Sequence, residues 1–94
     1  MGRDKSNHKS YKMIVEIINN LFMGDVKDPR PLHANSICRF AYVGYLRSTG
    51  HNTRETQNIT GYTYGSVRHR YMKHKEHLKF NPEYRKKFTC LKNS

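Results

Sequence analysis

Tyr11, Ile14, Val15, Ile18, Leu21 and Phe22 recur at steps of three and four residues, a spacing that gathers apolar side chains on one side of an α-helix and that no strand reproduces. Ser10 stands where an N-cap belongs, and Gly24 where such a helix stops. Related patterns return after each interruption along the chain. The sequence therefore predicts an all-α domain of about five helices, with no alternating run to suggest a sheet.

Pro29 and Pro31 deny regular hydrogen bonding to the stretch over residues 25–33, which reads as a connector. A second helix is expected next, capped by Asn35 or Ser36, burying Ile37, Phe40, Ala41, Gly44 and Tyr45, and ending before Gly50. Thr53 opens a short polar helix to Thr60, closed by Gly61. A longer helix runs from Tyr64 to Lys79 with Val67, Tyr71, His74 and Leu78 on one face. Asn81 and Pro82 then read as N-cap and first-turn residue of a terminal helix that turns Tyr84 and Phe88 inward. Helical spacing also assigns Tyr11, Phe22, Phe40, Tyr45 and Tyr71 to the core. A chain of 94 residues has room for one such domain, over residues 10–94, behind a flexible basic arm at residues 1–9.

The chain carries 18 Lys and Arg against 7 Asp and Glu, a formal charge of +11. Self-repulsion of that size is relieved by a polyanion, of which nucleic acid and an anionic membrane are the common kinds. The longest apolar cluster, Ile14 to Met23, is interrupted by Glu16, Asn19 and Asn20 and is too short to span a bilayer. The first twelve residues lack the apolar stretch of a signal peptide. The expectation is no membrane partner and a cytoplasmic setting, in a bacterial cell or a phage-infected host, with Cys38 and Cys90 reduced. Neither cysteine has a second one at metal-ligand spacing, and His74 with His77 form only a one-turn pair, so no metal or cofactor is expected. The acidic residues are scattered, which argues against an enzyme.

A short helix, a turn at Gly61 and a second helix opened by small and hydroxylated residues make a helix-turn-helix pattern over residues 53–79. The second helix of such a unit lies in the major groove of duplex DNA, its early residues at base edges. From Arg68 onward nine Lys or Arg face only Glu76 and Glu83, so charge concentrates on that helix and beyond. Tyr62, Thr63, Tyr64, Gly65, Ser66, Arg68, His69 and Lys73 are the candidate contacts. Their cations would neutralise phosphates and release counterions.

The stretch from Ile37 to about Leu78 resembles the C-terminal DNA-binding domain of the bacterial replication initiator DnaA, whose helix-turn-helix is related to that of the Trp repressor. Arg39 and Arg47, eight residues apart, are similar in placement to two arginines of that family's long helix. Gly61-Tyr62-Thr63-Tyr64-Gly65-Ser66-Val67 resembles its signature Gly-Arg-Asp-His-Thr-Thr-Val. The resemblance implies that Arg39 enters a minor groove, that Arg47 touches phosphate, and that Tyr64 and Ser66 read bases. Tyr64 stands in place of the family's His and Gly65 in place of a Thr. No Gly-x-x-x-x-Gly-Lys-Ser/Thr loop occurs, so the initiator's ATPase part has no counterpart.

The expectation is thus a stand-alone binder of double-stranded DNA, a phage or mobile-element regulator of transcription or replication. RNA binding, or docking on an acidic protein of the transcription or replication machinery, fits the same charge. A homodimer through the apolar first helix suits paired half-sites, and a monomer suits the chain equally.

Overall fold

The computed structural model describes residues 10–93; the arm expected over residues 1–9 lies outside them. Five helices follow in order: α1 (Tyr11–Phe22), α2 (His33–Ser48), α3 (Thr53–Thr60), α4 (Tyr64–Phe80) and α5 (Pro82–Lys92). No strand occurs among the described residues.

Local chemistry sets most boundaries. Ser10 caps α1, its Oγ accepting the Met13 N–H at 3.2 Å. Asn81 caps α5, accepting from Tyr84 N–H at 3.1 Å, with Pro82 in the first turn, where no amide is needed. At α3 the cap is Asn52, one residue before the expected Thr53. Asn52 Oδ1 accepts from Glu55 N–H and Glu55 Oε1 accepts from Asn52 N–H, at 2.8 and 2.9 Å, a reciprocal capping box.

The first connector departs from expectation. The left-handed residue that ends α1 is Met23, at φ 59°, rather than Gly24. Gly24 is needed for a different reason: a Cβ there would lie 2.6 Å from the Ala34 carbonyl oxygen, so the backbones meet at that point. Asn35 is no cap either. α2 begins at His33, and the buried Asn35 accepts from Asp25 N–H at 2.9 Å and donates to the Arg30 carbonyl at 3.3 Å. Asn19 accepts from Val26 N–H at 2.9 Å. A segment that two prolines bar from helix thus has its backbone groups satisfied by side chains of the flanking helices.

α2 is buried on most sides, with Ile37, Cys38, Ala41, Tyr42, Val43 and Leu46 all inside. Phe22, Tyr84 and Phe88 are buried and Phe40, Tyr45 and Tyr71 half-buried, in keeping with their expected inward placement. Tyr11 is not: it is exposed, its ring set edge-on to His51. As the first residue of α1 it sits at the rim of the core, its hydroxyl 3.3 Å from His51 Nε2, so periodicity alone misplaces it.

α4 crosses α2 at Gly44, where an added Cβ would lie 2.3 Å from His74 Nδ1. His74 is 2% exposed, shares a 2.6 Å hydrogen bond with the Tyr84 hydroxyl, and packs edge-on against Phe88 at 4.5 Å between ring centres. One imidazole therefore joins α2, α4 and α5. Gly44→Ala is expected to destabilise the domain by about 1–3 kcal/mol in urea unfolding, because neither the buried ring nor the helix backbone can give way.

Burial lowers the His74 pKa from 6.5 to about 4. Between those values the unfolded chain takes up a proton that the folded chain refuses. This contribution to stability is therefore complete above about pH 6.5 and declines as pH falls towards 4, by about 3 kcal/mol in all. Urea unfolding at pH 7 and pH 4.5 is expected to show the decline in the wild type and a smaller one in His74→Gln.

Candidate nucleic-acid interface

Gly61 closes α3 at φ 79°, a left-handed conformation that lets the chain reverse without a Cβ penalty. Tyr62 N–H donates to Thr60 Oγ1 at 3.2 Å, and Thr63, in extended conformation, accepts from Ser66 N–H at 3.1 Å as the N-cap of α4. The sequence thus places the turn and the helix start at the expected residues. The first turn of α4 holds no acid to offset its positive end. Between Glu55 and Glu76 no acidic residue occurs at all.

Beside this half of α4 lies a cleft of about 280 Å³, lined by Arg47 at the end of α2, Thr53 at the start of α3, and Tyr64, Val67, Arg68, Tyr71, Met72 and Lys75 of α4. None of the lining residues is acidic. Aromatic rings hold the cations instead. The Arg47 guanidinium lies 4.8 Å and the Lys75 ammonium 4.9 Å from the centre of the Tyr71 ring. Arg68 lies 5.8 Å from the Tyr64 ring, with Nη1 donating to its hydroxyl at 3.5 Å. Arg47 is further steadied by donation from Nη1 to the His51 carbonyl at 3.3 Å. A ring face attracts a cation through its quadrupole without cancelling the charge, so the cleft stays positive.

On the other side of α4, Arg70 stacks over Tyr62 at 4.6 Å, and its buried Nε has no hydrogen-bond partner. Burial pulls the Arg70 pKa below its ordinary value, and burial likewise pushes the Tyr62 hydroxyl up. Lys73 lies on this side too, 3.6 Å from Glu76.

The candidate residues therefore separate. Arg47, Tyr64 and Arg68 share the cleft; Tyr62 supports Arg70; Thr63 is a cap; Gly65 and His69 are exposed; Ser66 is half-exposed and Lys73 is paired. Arg39 requires a correction. It is 9% exposed, and its Nη1 and Nη2 donate to the Asp28 and Arg30 carbonyls at 2.9 and 3.3 Å. It latches the connector onto α2 and is not presented to a groove. Lys75 and Met72 were not singled out in the sequence, although Lys75 stands seven residues beyond Arg68, a spacing that returns to the same helix side.

No three His, Cys, Asp or Glu side chains converge to hold a metal among the described residues, and no helix there is long and apolar enough to cross a membrane. Comparison with known protein families, curated proteins and solved structures finds no match to this chain.

Replacing Arg39 by Ala is expected to destabilise the fold by about 2 kcal/mol, since two connector carbonyls lose charged donors. On the duplex-binding expectation drawn from the sequence, affinity per folded molecule, measured below the melting range, is expected to stay within about twofold of wild type. A minor-groove role would instead produce a large affinity loss in fully folded protein.

Proposed function

We propose that this domain binds double-stranded DNA, with α3 and its turn supporting α4 as a helix-turn-helix and the N-terminal half of α4 entering the major groove. The observation that carries the reading is the acid-free cleft in which Arg47, Arg68 and Lys75 are held by Tyr64 and Tyr71. Three cations drawn from two helices repel one another unless an anion lies between them. A phosphate of a duplex backbone supplies that charge and takes the hydrogen bonds their free N–H groups offer.

The geometry favours DNA over duplex RNA. A helix with its side chains is about 10–12 Å across, close to the width of the B-form major groove of about 12 Å, whereas the A-form major groove is too narrow to admit it. Cations on both sides of α4, Arg68 and Lys75 on one and Arg70 and Lys73 on the other, suit the two phosphate backbones that border a groove.

Titration with mixed-sequence duplex DNA at several salt concentrations tests the reading. Affinity is expected to fall linearly with salt on logarithmic axes, with a slope of about 0.9 per phosphate neutralised. Arg68→Ala and Lys75→Ala are each expected to weaken binding about tenfold and to flatten the slope by about one phosphate. Preference for structured RNA or for an acidic protein over the duplex would overturn the DNA reading.

A further inference from the structure

The face of α4 that looks away from the core carries a second pattern. Gly65, His69 and Met72 follow at steps of four and three, so they fall on one side of the helix. All three are exposed, Met72 at 55%. The face runs from the edge of the cleft, which Met72 lines beside Arg68 and Lys75, to the opposite side, with Arg70 and Lys73. At Gly65 an added Cβ would meet nothing within 4 Å, so the fold itself does not demand glycine there. The next residue on the same face is Glu76, an acid that phosphates repel and that closes the pattern.

Without a carboxylate or amide, this strip still has definite chemistry: bare backbone, an imidazole and a thioether. Among the groups that base pairs display in the major groove, the one apolar feature is the thymine C5 methyl, and purine N7 is an acceptor for a donating ring nitrogen. From Gly65 to Met72 the helix rises about 10 Å, about three base-pair steps.

We propose that Gly65, His69 and Met72 form the base-reading surface, with Met72 packing on a thymine methyl and His69 donating to a purine N7. Gly65 allows the helix end to approach the base edges. This rests on the duplex-DNA reading above. It assigns sequence preference to Gly65, His69 and Met72 rather than to Tyr64 and Ser66, and only Met72 of these three also lines the cleft.

The test uses the whole chain. Bound duplexes are selected from a random pool, and each thymine of the preferred duplex is then replaced singly by uracil, which removes only the methyl group. At one position the wild type is expected to lose about fourfold in affinity. Met72→Ala is expected to bind the thymine duplex about fourfold more weakly and to show no further loss with uracil. Arg68→Ala, weaker overall, is expected to keep the full uracil effect. Because Met72 is exposed, its replacement leaves the core intact, and a melting curve checks this. Three results would overturn the inference while leaving duplex binding in place: no preferred sequence, no uracil effect at any position, or an equal effect in Met72→Ala. Failure to bind any duplex would overturn the DNA reading and this inference together.

Discussion

The close approach of His74 to the backbone at Gly44 is the contact on which the rest of the domain depends. α2 is the helix most enclosed by the others, and α4 comes nearest its backbone where a residue without Cβ leaves room for a ring. The same ring then meets Tyr84 and Phe88 of α5. Burial keeps the imidazole uncharged at neutral pH, so a polar group serves as core without a buried charge. Its hydrogen bond with the Tyr84 hydroxyl meets the usual requirement that buried polar atoms be bonded. With this side of α4 fixed inward, its cationic sides are turned outward by helical geometry alone.

A chain with a net charge of +11 must position cations without neutralising them if that charge is to act on a partner. Ion pairing does the opposite: the bidentate grip of Asp28 on Arg30 uses up both charges in the connector and holds the Asp28 carboxyl well below the usual carboxylate range. Around α4 Lys73 is paired with Glu76, but other cations there rest on rings instead. Tyr71 takes Arg47 and Lys75, Tyr64 takes Arg68, and Tyr62 takes Arg70. Each such contact contributes only about 0.5–1 kcal/mol at an exposed site. Their effect is one of placement, since a guanidinium resting on a ring loses part of its conformational freedom before any anion arrives.

Much of the fold is legible in the sequence because its boundaries are local. Ser10, Gly50, Gly61, Thr63, Asn81 and Pro82 act through neighbours a few residues away, and each stands at or beside a helix end. What escapes reading depends on distant partners. Asn35 has the residue type of a cap, yet the connector's free amide and carbonyl groups draw it inside. Arg39 has the residue type of a minor-groove contact, yet the Asp28 and Arg30 carbonyls, eleven and nine residues back, already bind it. Nothing in the spacing of arginines separates one that faces solvent from one that meets a proline-rich loop. The candidate interface is legible in its turn and its cations, but the spacing of Tyr71 assigns it to the core alone, because its second role needs Arg47 from another helix.

The two halves of α4 serve different ends, and the sequence marks the division at Glu76. Beyond it, His77 stacks with Phe40 and meets Tyr84, and Leu78 packs against the core. Arg85 of α5 donates back to the Leu78 carbonyl at 2.9 Å, which fixes the end of α4 to the following helix. The N-terminal half holds the two buried residues of the helix, Val67 and His74, on one side and leaves its other side exposed. A helix is stiff over this length, so anchoring one end sets the direction of the other. The exposed face of that half can then carry Gly65, Arg68, His69 and Met72, which take no part in the core. Substitutions there cost the fold little, which leaves those positions open to change in what they contact.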